Sequence, residues 1–284
     1  MGFSEVALDK AFWHAIIDDN GDIPNGRALP DLTQTLDGYL GLPDGELRDE
    51  IAYRLLTQWI MAGKYTPDDL RRLMARWLEN LTLGIGETET DSVFLRSFSV
   101  LMLSVVVYHD NNQPFLTRDE VRLLLDKGLA YFAAEQDLRG YIIGKGWAHS
   151  SAHCADLLKF LARSRHMDAA DLRRILDGIV GKLLAPIVHM YGYDEDERMA
   201  LASVDVCKRG LLRPDDWRAW LARFTEWKAS WSADDPFDLE IFAPYHNGKQ
   251  FLRTLYFQIS FLDPAPPGGE ALMDDVMETL KMFR

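Results

Sequence analysis

A chain of 284 residues is longer than most compact single domains, yet a stack of helix pairs can run to this length as one unit. Apolar residues make up 48%, with eight Trp and fourteen Phe spread along the chain, so a core can form almost throughout and no large disordered tail is expected. The formal charge of −13, from 44 acidic against 31 basic residues dispersed through every segment, argues against nucleic acid and anionic membrane as partners.

Hydrophobic periodicity predicts helices, in chain order, over 4–18, 31–40, 46–62, 67–82, 91–109, 117–135, 147–164, 169–190, 195–208, 214–230, 247–261 and 270–283. No stretch reads as a strand. Thr66-Pro67-Asp68-Asp69, Thr117-Arg118-Asp119-Glu120 and Arg213-Pro214-Asp215-Asp216 are helix-start signals, with acids and in two cases a proline in the first turn. Linkers are expected at 19–30, 84–90, 232–247 and 264–269. The last is Pro-Ala-Pro-Pro-Gly-Gly, joining the body to a final helix at 270–283 that can fold back as a cap or dock on another molecule.

The longest apolar run, 98–108, is about half the roughly 20 residues a membrane-spanning helix needs and reads as a buried helix. The first ten residues carry Glu5 and Asp9 and lack the basic start and apolar stretch of a secretion signal, so a cytoplasmic location is expected. Cys154 and Cys207 are far apart inside apolar helical patterns and read as buried free thiols.

The helix starts recur. Leu70, Val121, Leu172 and Trp217 each follow an apolar helix and a short link, at separations of about 45 to 51 residues, close to the period of two-helix repeats. The expected fold is therefore all-α, one domain over 1–284, a HEAT/armadillo-like stack of antiparallel helix pairs (an α-solenoid that can curve), with an irregular bundle as the alternative. Such a stack leaves an inner surface free for binding.

The most unusual local sequence is 137–158. Gly140, Gly144 and Gly146 precede a helix expected to begin near Trp147, and His149, His153 and Asp156 follow at i, i+4 and i+7, within roughly 60° of one another on the helix wheel. Cys154, Leu158 and Leu161, with Trp147, fall on the opposite, core-facing side, and Ala148, Ala152 and Ala155 form a stripe of small residues for close helix approach. The polar stripe is expected to border a groove or face solvent.

Three readings follow. Histidines one turn apart can grip a divalent metal, with His149, His153 and Asp156 as candidate ligands and His109, His189 or Asp194 as further donors, although no Glu follows His149 as the metalloprotease pattern requires. A Gly-Lys-Gly turn opening a helix can present backbone N–H groups to a small anion, aided by Lys145 and Arg139. Structurally, the glycines permit a tight turn and the polar side chains bond neighbouring loops. The acids at 194–197 complement a helix dipole, and Arg198 can pair with Asp156 if successive repeats stack side by side. Asn247 looks like a helix cap, and His14, His109, His166 and His189 read as structural. No nucleophile elbow, dinucleotide fingerprint or Cys-His protease pairing occurs.

Arg139-Gly140-Tyr141, Gly144-Lys145-Gly146-Trp147-Ala148-His149, Ala152-His153 and Ala155-Asp156-Leu157-Leu158 resemble a bacterial family catalogued only as a domain of unknown function, as do Asp196-Glu197-Arg198 and Phe251-Leu252-Arg253-Thr254-Leu255-Tyr256. The resemblance implies a bacterial origin and a helical-repeat fold and brings no activity, cofactor or substrate. On the residues, the expected function is binding of a protein partner or small anionic ligand on the inner surface beside Arg139, Lys145, Trp147, His149, His153, Asp156 and Arg198. A metal- or histidine-dependent hydrolase or lyase and a purely structural, assembly role remain open beside it.

Overall fold

A computed structural model describes residues 9–231 and 237–283. The helix start expected at 4–8 and residues 232–236 of the expected linker lie outside the described residues. The described chain is mostly helical: α1 Lys10–Asp18, α2 Leu29–Tyr39, a π-helical segment Glu46–Tyr53 running straight into α3 Arg54–Met61, α4 Pro67–Asn80, α5 Ser92–Asn112 and α6 Arg118–Ala134. Two strands, β1 Tyr141–Ile142 and β2 Gly146–Trp147, form an antiparallel hairpin. Then come α7 Ser150–Arg163, α8 Ala169–Leu183, α9 Glu195–Lys208, α10 Pro214–Ala229, α11 Leu239–Ser260 and α12 Gly269–Lys281.

The local chemistry at the helix starts is as the sequence implies. Thr66 and Thr117 each accept from the backbone of the residue three on, and Asp69 and Glu120 reach back to the threonine N–H, so two orphan donors are satisfied at the start of α4 and of α6. Asp168 and Asp171 do the same for α8. Pro214 opens α10, where its missing N–H costs nothing.

Four expectations need correction. The helix expected over 169–190 stops at Leu183, because Pro186 cannot continue the hydrogen-bond ladder and biases the residue before it away from helix. The described part of the 232–247 linker is helix from Leu239, with Pro244 inside α11. Asn247 is consequently no cap. It lies in α11, accepting from the Tyr191 N–H (3.0 Å) and donating to the His189 carbonyl (2.8 Å). The hairpin is the fourth, since no strand was expected.

Helices α5, α7, α9 and α11 pack each on the next, while α6 packs on α8, α8 on α10 and α10 on α12. The terminal α12 folds back onto α10 and α11, so the Pro/Gly linker serves a docked cap. Trp13, Trp59, Trp77, Phe94, Phe98, Phe132, Phe224, Phe251 and Phe283 are fully buried, so the core extends from α1 to the end of the described chain. Helix α5 spans 21 residues, longer than its apolar run suggested, and is long and apolar enough to cross a membrane. Here 83% of its most apolar stretch is buried inside the protein. Cys154 and Cys207 are buried and unpaired.

Candidate functional site

Helix α7 starts three residues later than expected, and this changes the site. Trp147 is in β2, and His149 sits at the helix N-cap in the left-handed region, φ 52°, which costs a non-glycine residue about 1 kcal/mol. That geometry is imposed by the hairpin's return. The Ala148 N–H donates to the Gly140 carbonyl and the His149 N–H to the Arg139 carbonyl, both at 2.9 Å.

The three side chains of the expected stripe are all buried rather than bordering solvent, because α7 is the central helix, packed on α5 on one side and α9 on the other. His149 Nε2 donates to the Tyr193 carbonyl at 2.7 Å and lies 3.7 Å from Glu195 Oε1, while the Trp147 ring stacks on its imidazole at 4.7 Å. His153 Nδ1 is 2.9 Å from Ser97 Oγ. Ser97 Oγ spends its single hydrogen on the Ala148 carbonyl, so Nδ1 of His153 carries the proton and donates. Asp156 accepts from Lys159 Nζ (2.6 Å) through one oxygen and from Arg198 (2.8 Å) through the other. The pairing of Arg198 with Asp156 is the one expected from side-by-side stacking of successive helix pairs.

Burial pushes both imidazoles below their ordinary range. For His149 the nearby Glu195 carboxylate opposes the shift; for His153 the His149 imidazole reinforces it. The pair is therefore neutral at pH 7. With His149 Nε2 and both Asp156 oxygens committed to protein partners, the trio does not converge as a ligand set. Among the described residues no group of three or more His, Cys, Asp and Glu is arranged to hold a metal ion.

The Gly-Lys-Gly segment is the tip of the hairpin, with Gly144 and Gly146 at φ 81° and 82°, rather than the first turn of a helix. The helical N–H groups of the anion-binding reading are absent there. Its cations are also engaged: Lys145 Nζ pairs with Asp91 (2.6 Å), and Arg139 grips Asp137 and the Thr90 carbonyl (2.7 Å).

Sequence reasoning missed what the hairpin leans on. Arg48, fully buried in the π-helical segment, donates to the Lys145 carbonyl at 2.8 Å and the Leu42 carbonyl at 2.6 Å, pairs with Asp49 (2.8 Å), and lies 4.0 Å over the Phe94 ring. Between this segment and the hairpin is an open cleft of about 790 Å3. Asp44, Glu46, Asp49 and Glu50 line one wall, and Tyr141, Lys145 and Trp147 the other. It adjoins a second depression of about 710 Å3 along Asp49, Glu50, Tyr53, Arg54 and Gln58. At the rim, Tyr141 meets Trp147 edge-on at 5.1 Å and Trp147 meets Tyr193 at 5.9 Å, all three exposed, with Ile143 at the hairpin tip 94% exposed. Glu195, Ser97 and Tyr193, 46, 52 and 44 residues from His149, carry no local pattern that ties them to it.

The family model for proteins of unknown function DUF2785 matches residues 81–257, more than half of the chain and the whole of the segment from α5 to the last turn of α11. The chain belongs to that DUF2785 family. No curated protein and no solved structure matches it. The matched region contains the hairpin, the buried His149–His153–Asp156 seam and Arg198, whereas the carboxylate wall of the cleft lies upstream of it.

Proposed function

We propose that this DUF2785 member is a binding protein, a HEAT-like helical-repeat scaffold that holds a basic, partly apolar segment of a protein partner in the cleft beside the hairpin. The repeat reading is supported by the spacing of bonds between elements. Arg71 pairs with Glu120, Arg122 with Asp168, Arg174 with Asp126 and Arg223 with Asp177, at separations of 49, 46, 48 and 46 residues, as expected when each helix pair docks on the next.

The observation that carries the binding reading is the exposed cluster Tyr141–Trp147–Tyr193, with Ile143 at the hairpin tip, in which Tyr193 from the segment before α9 meets a hairpin that buried Arg48 clamps to the body. Exposed, pre-organised aromatic residues of this kind are the usual anchors of protein interfaces. On the facing wall Asp44 and Glu46 share Lys10 and Asp49 pairs with Arg48, so among the described residues Glu50 is the carboxylate left without a partner, while Lys145 and Arg139 are paired as well; the remaining negative charge favours a cationic segment over the small anion that the glycine-rich turn suggested.

Fluorescence polarisation with labelled dodecapeptides tests this. Arg/Lys-rich peptides containing one aromatic residue should bind saturably, acidic peptides and inorganic phosphate should not compete, and Trp147→Ala should weaken binding by about tenfold or more. Equal affinity for acidic peptides, or indifference to Trp147→Ala, would overturn the assignment.

A catalytic reading draws on one feature, the 3.7 Å approach of His149 to Glu195 beside a strained backbone. It is the weaker of the two, because the nitrogen involved is already bonded to the Tyr193 carbonyl and the ring is stacked beneath Trp147.

A further inference from the structure

A second, unrelated concavity lies between α2 and α4, upstream of the family-matched region, with a volume of about 310 Å3. Its composition is that of a small-molecule site: apolar walls with a few fixed polar groups. Leu29, Pro30 and Leu73 supply the walls.

The polar groups are held by bonds behind the pocket. Thr33 donates its hydroxyl hydrogen to the Leu29 carbonyl (2.7 Å), so the buried Tyr65 hydroxyl, 2.7 Å away, donates to Thr33. Asp37, its side chain 2% exposed, accepts from the Trp77 indole at 2.7 Å and from Arg76 Nε at 2.8 Å.

The Asp37–Arg76 pair is lopsided. The carboxylate is sealed in the protein while the arginine side chain, 54% exposed, is fixed through Nε alone, and among the described residues its two terminal nitrogens make no bond. Arg72, one turn earlier on the same helix, lines the pocket beside its partner Asp69, to which, among the described residues, it is bonded through one terminal nitrogen, so each of the pocket's two carboxylates, Asp37 and Asp69, is neutralised by one of its two guanidinium groups. Two guanidinium groups with unused donors thus border an apolar recess, the arrangement that takes a planar carboxylate by its two oxygens.

We propose that this pocket binds a small monocarboxylate with an apolar body of one aromatic ring or a short alkyl chain, the carboxylate on Arg76 and Arg72 and the body against Leu29, Pro30 and Leu73. The volume limits the occupant to roughly that size.

The test uses the full chain, with benzoate, phenylacetate and hexanoate as probes, benzamide as the neutral counterpart and benzylamine as the cationic one, followed by isothermal titration and saturation-transfer NMR. One-site saturable binding of at least one carboxylate is expected, with benzamide and benzylamine each about tenfold weaker or undetectable. Arg72→Gln, at a side chain 72% exposed, should fold normally and weaken carboxylate binding by about tenfold. Leu73→Trp, confirmed folded by circular dichroism, should abolish binding by filling the recess. Absence of saturable binding by any of the carboxylates, a preference for benzylamine, or carboxylate binding unchanged in Arg72→Gln would overturn the proposal.

Discussion

Arg96 of α5 and Glu135, just past the end of α6, form a two-bonded ion pair, 2.6 Å and 3.0 Å, with the arginine side chain fully buried and the glutamate 2% exposed. The arginine's remaining donors reach the carbonyls of Leu83 and Gly84, and the Glu135 carbonyl accepts from buried Lys182 Nζ at 2.6 Å. The pair ties α5 to the segment after α4, to the end of α6 and, through Lys182, to α8, beneath the loop that leads into the hairpin.

Removing one partner leaves a buried charge uncompensated, so Glu135→Ala is expected to lower stability by about 3–5 kcal/mol. The double variant Arg96→Met with Glu135→Leu should recover much of that loss, since an apolar pair avoids the desolvation cost. Urea denaturation midpoints of the three proteins check both statements.

Acid should destabilise the fold through its buried imidazoles. His153 and His149 are neutral in the folded protein because burial depresses their pKa values, whereas in the unfolded chain each titrates near about 6.5. Their contribution is therefore fully present above that pH and is lost as pH falls below it toward the folded values, the unfolded state binding more protons throughout the window. For His153 alone, titration of the unfolded imidazole sets an upper bound of about 1.4 kcal/mol on the difference between pH 7.5 and 5.5. His153→Gln is expected to reduce the pH dependence by no more than that amount, read as the gap between denaturation curves at the two pH values.

Gly140 packs so closely on Tyr193 that a side chain at 140 would run into the ring. Gly140→Ala should cost about 1–3 kcal/mol of overpacking and displace Tyr193 from the aromatic rim. Gly144→Ala, at the open hairpin tip with φ 81°, should cost only about 1 kcal/mol of backbone strain and leave the rim in place. Comparing thermal stability and peptide binding of the two variants separates packing from turn geometry.

The Asp156 carboxylate joins α7 to α9 through Arg198. Asp156→Asn keeps the shape and removes the charge, and should destabilise by about 2 kcal/mol, less than loss of the Arg96–Glu135 pair because Arg198 is partly solvated. If the residue instead held a ligand, the variant would change binding with little effect on the denaturation midpoint.

Burial raises the pKa of both thiols, Cys207 to about 11 and Cys154 further, so neither should react with a disulfide reagent at pH 8 on the timescale of an unfolded control. Rapid labelling of either in the native protein would show that its helix opens locally.

The helices were legible because the information that makes them is local. Apolar residues at a spacing of three and four, Thr66, Thr117 and Pro214 at starts, and the recurrence of these signals at roughly 45 to 51 residues needed no knowledge of the fold. The helix expected over 169–190 overran a local stop at Pro186; before α11, tertiary contacts overrode the local reading. The chain up to 247 read as a linker with Asn247 as the cap of a helix beginning there, yet Ala243, Pro244 and Asn247 are buried in one continuous helix from Leu239.

The site divides along the same line. That His149, His153 and Asp156 form a unit with Arg198 followed from helical spacing and from the expectation of stacked pairs. That they are sealed rather than presented depended on α5 and α9 closing over α7 from residues 40 to 60 positions away in sequence, as Ser97 and Glu195 do. The hairpin closes through its own local bonds, but its seat on the body and the cleft against the π-helical segment depend on distant partners, above all Arg48, whose bond to Lys145 spans 97 residues. Backbone propensity and capping act within a few residues and so are written in the chain. Burial, pairing of charges and the shape of a cleft are properties of surfaces brought together, and only the packed structure decides them.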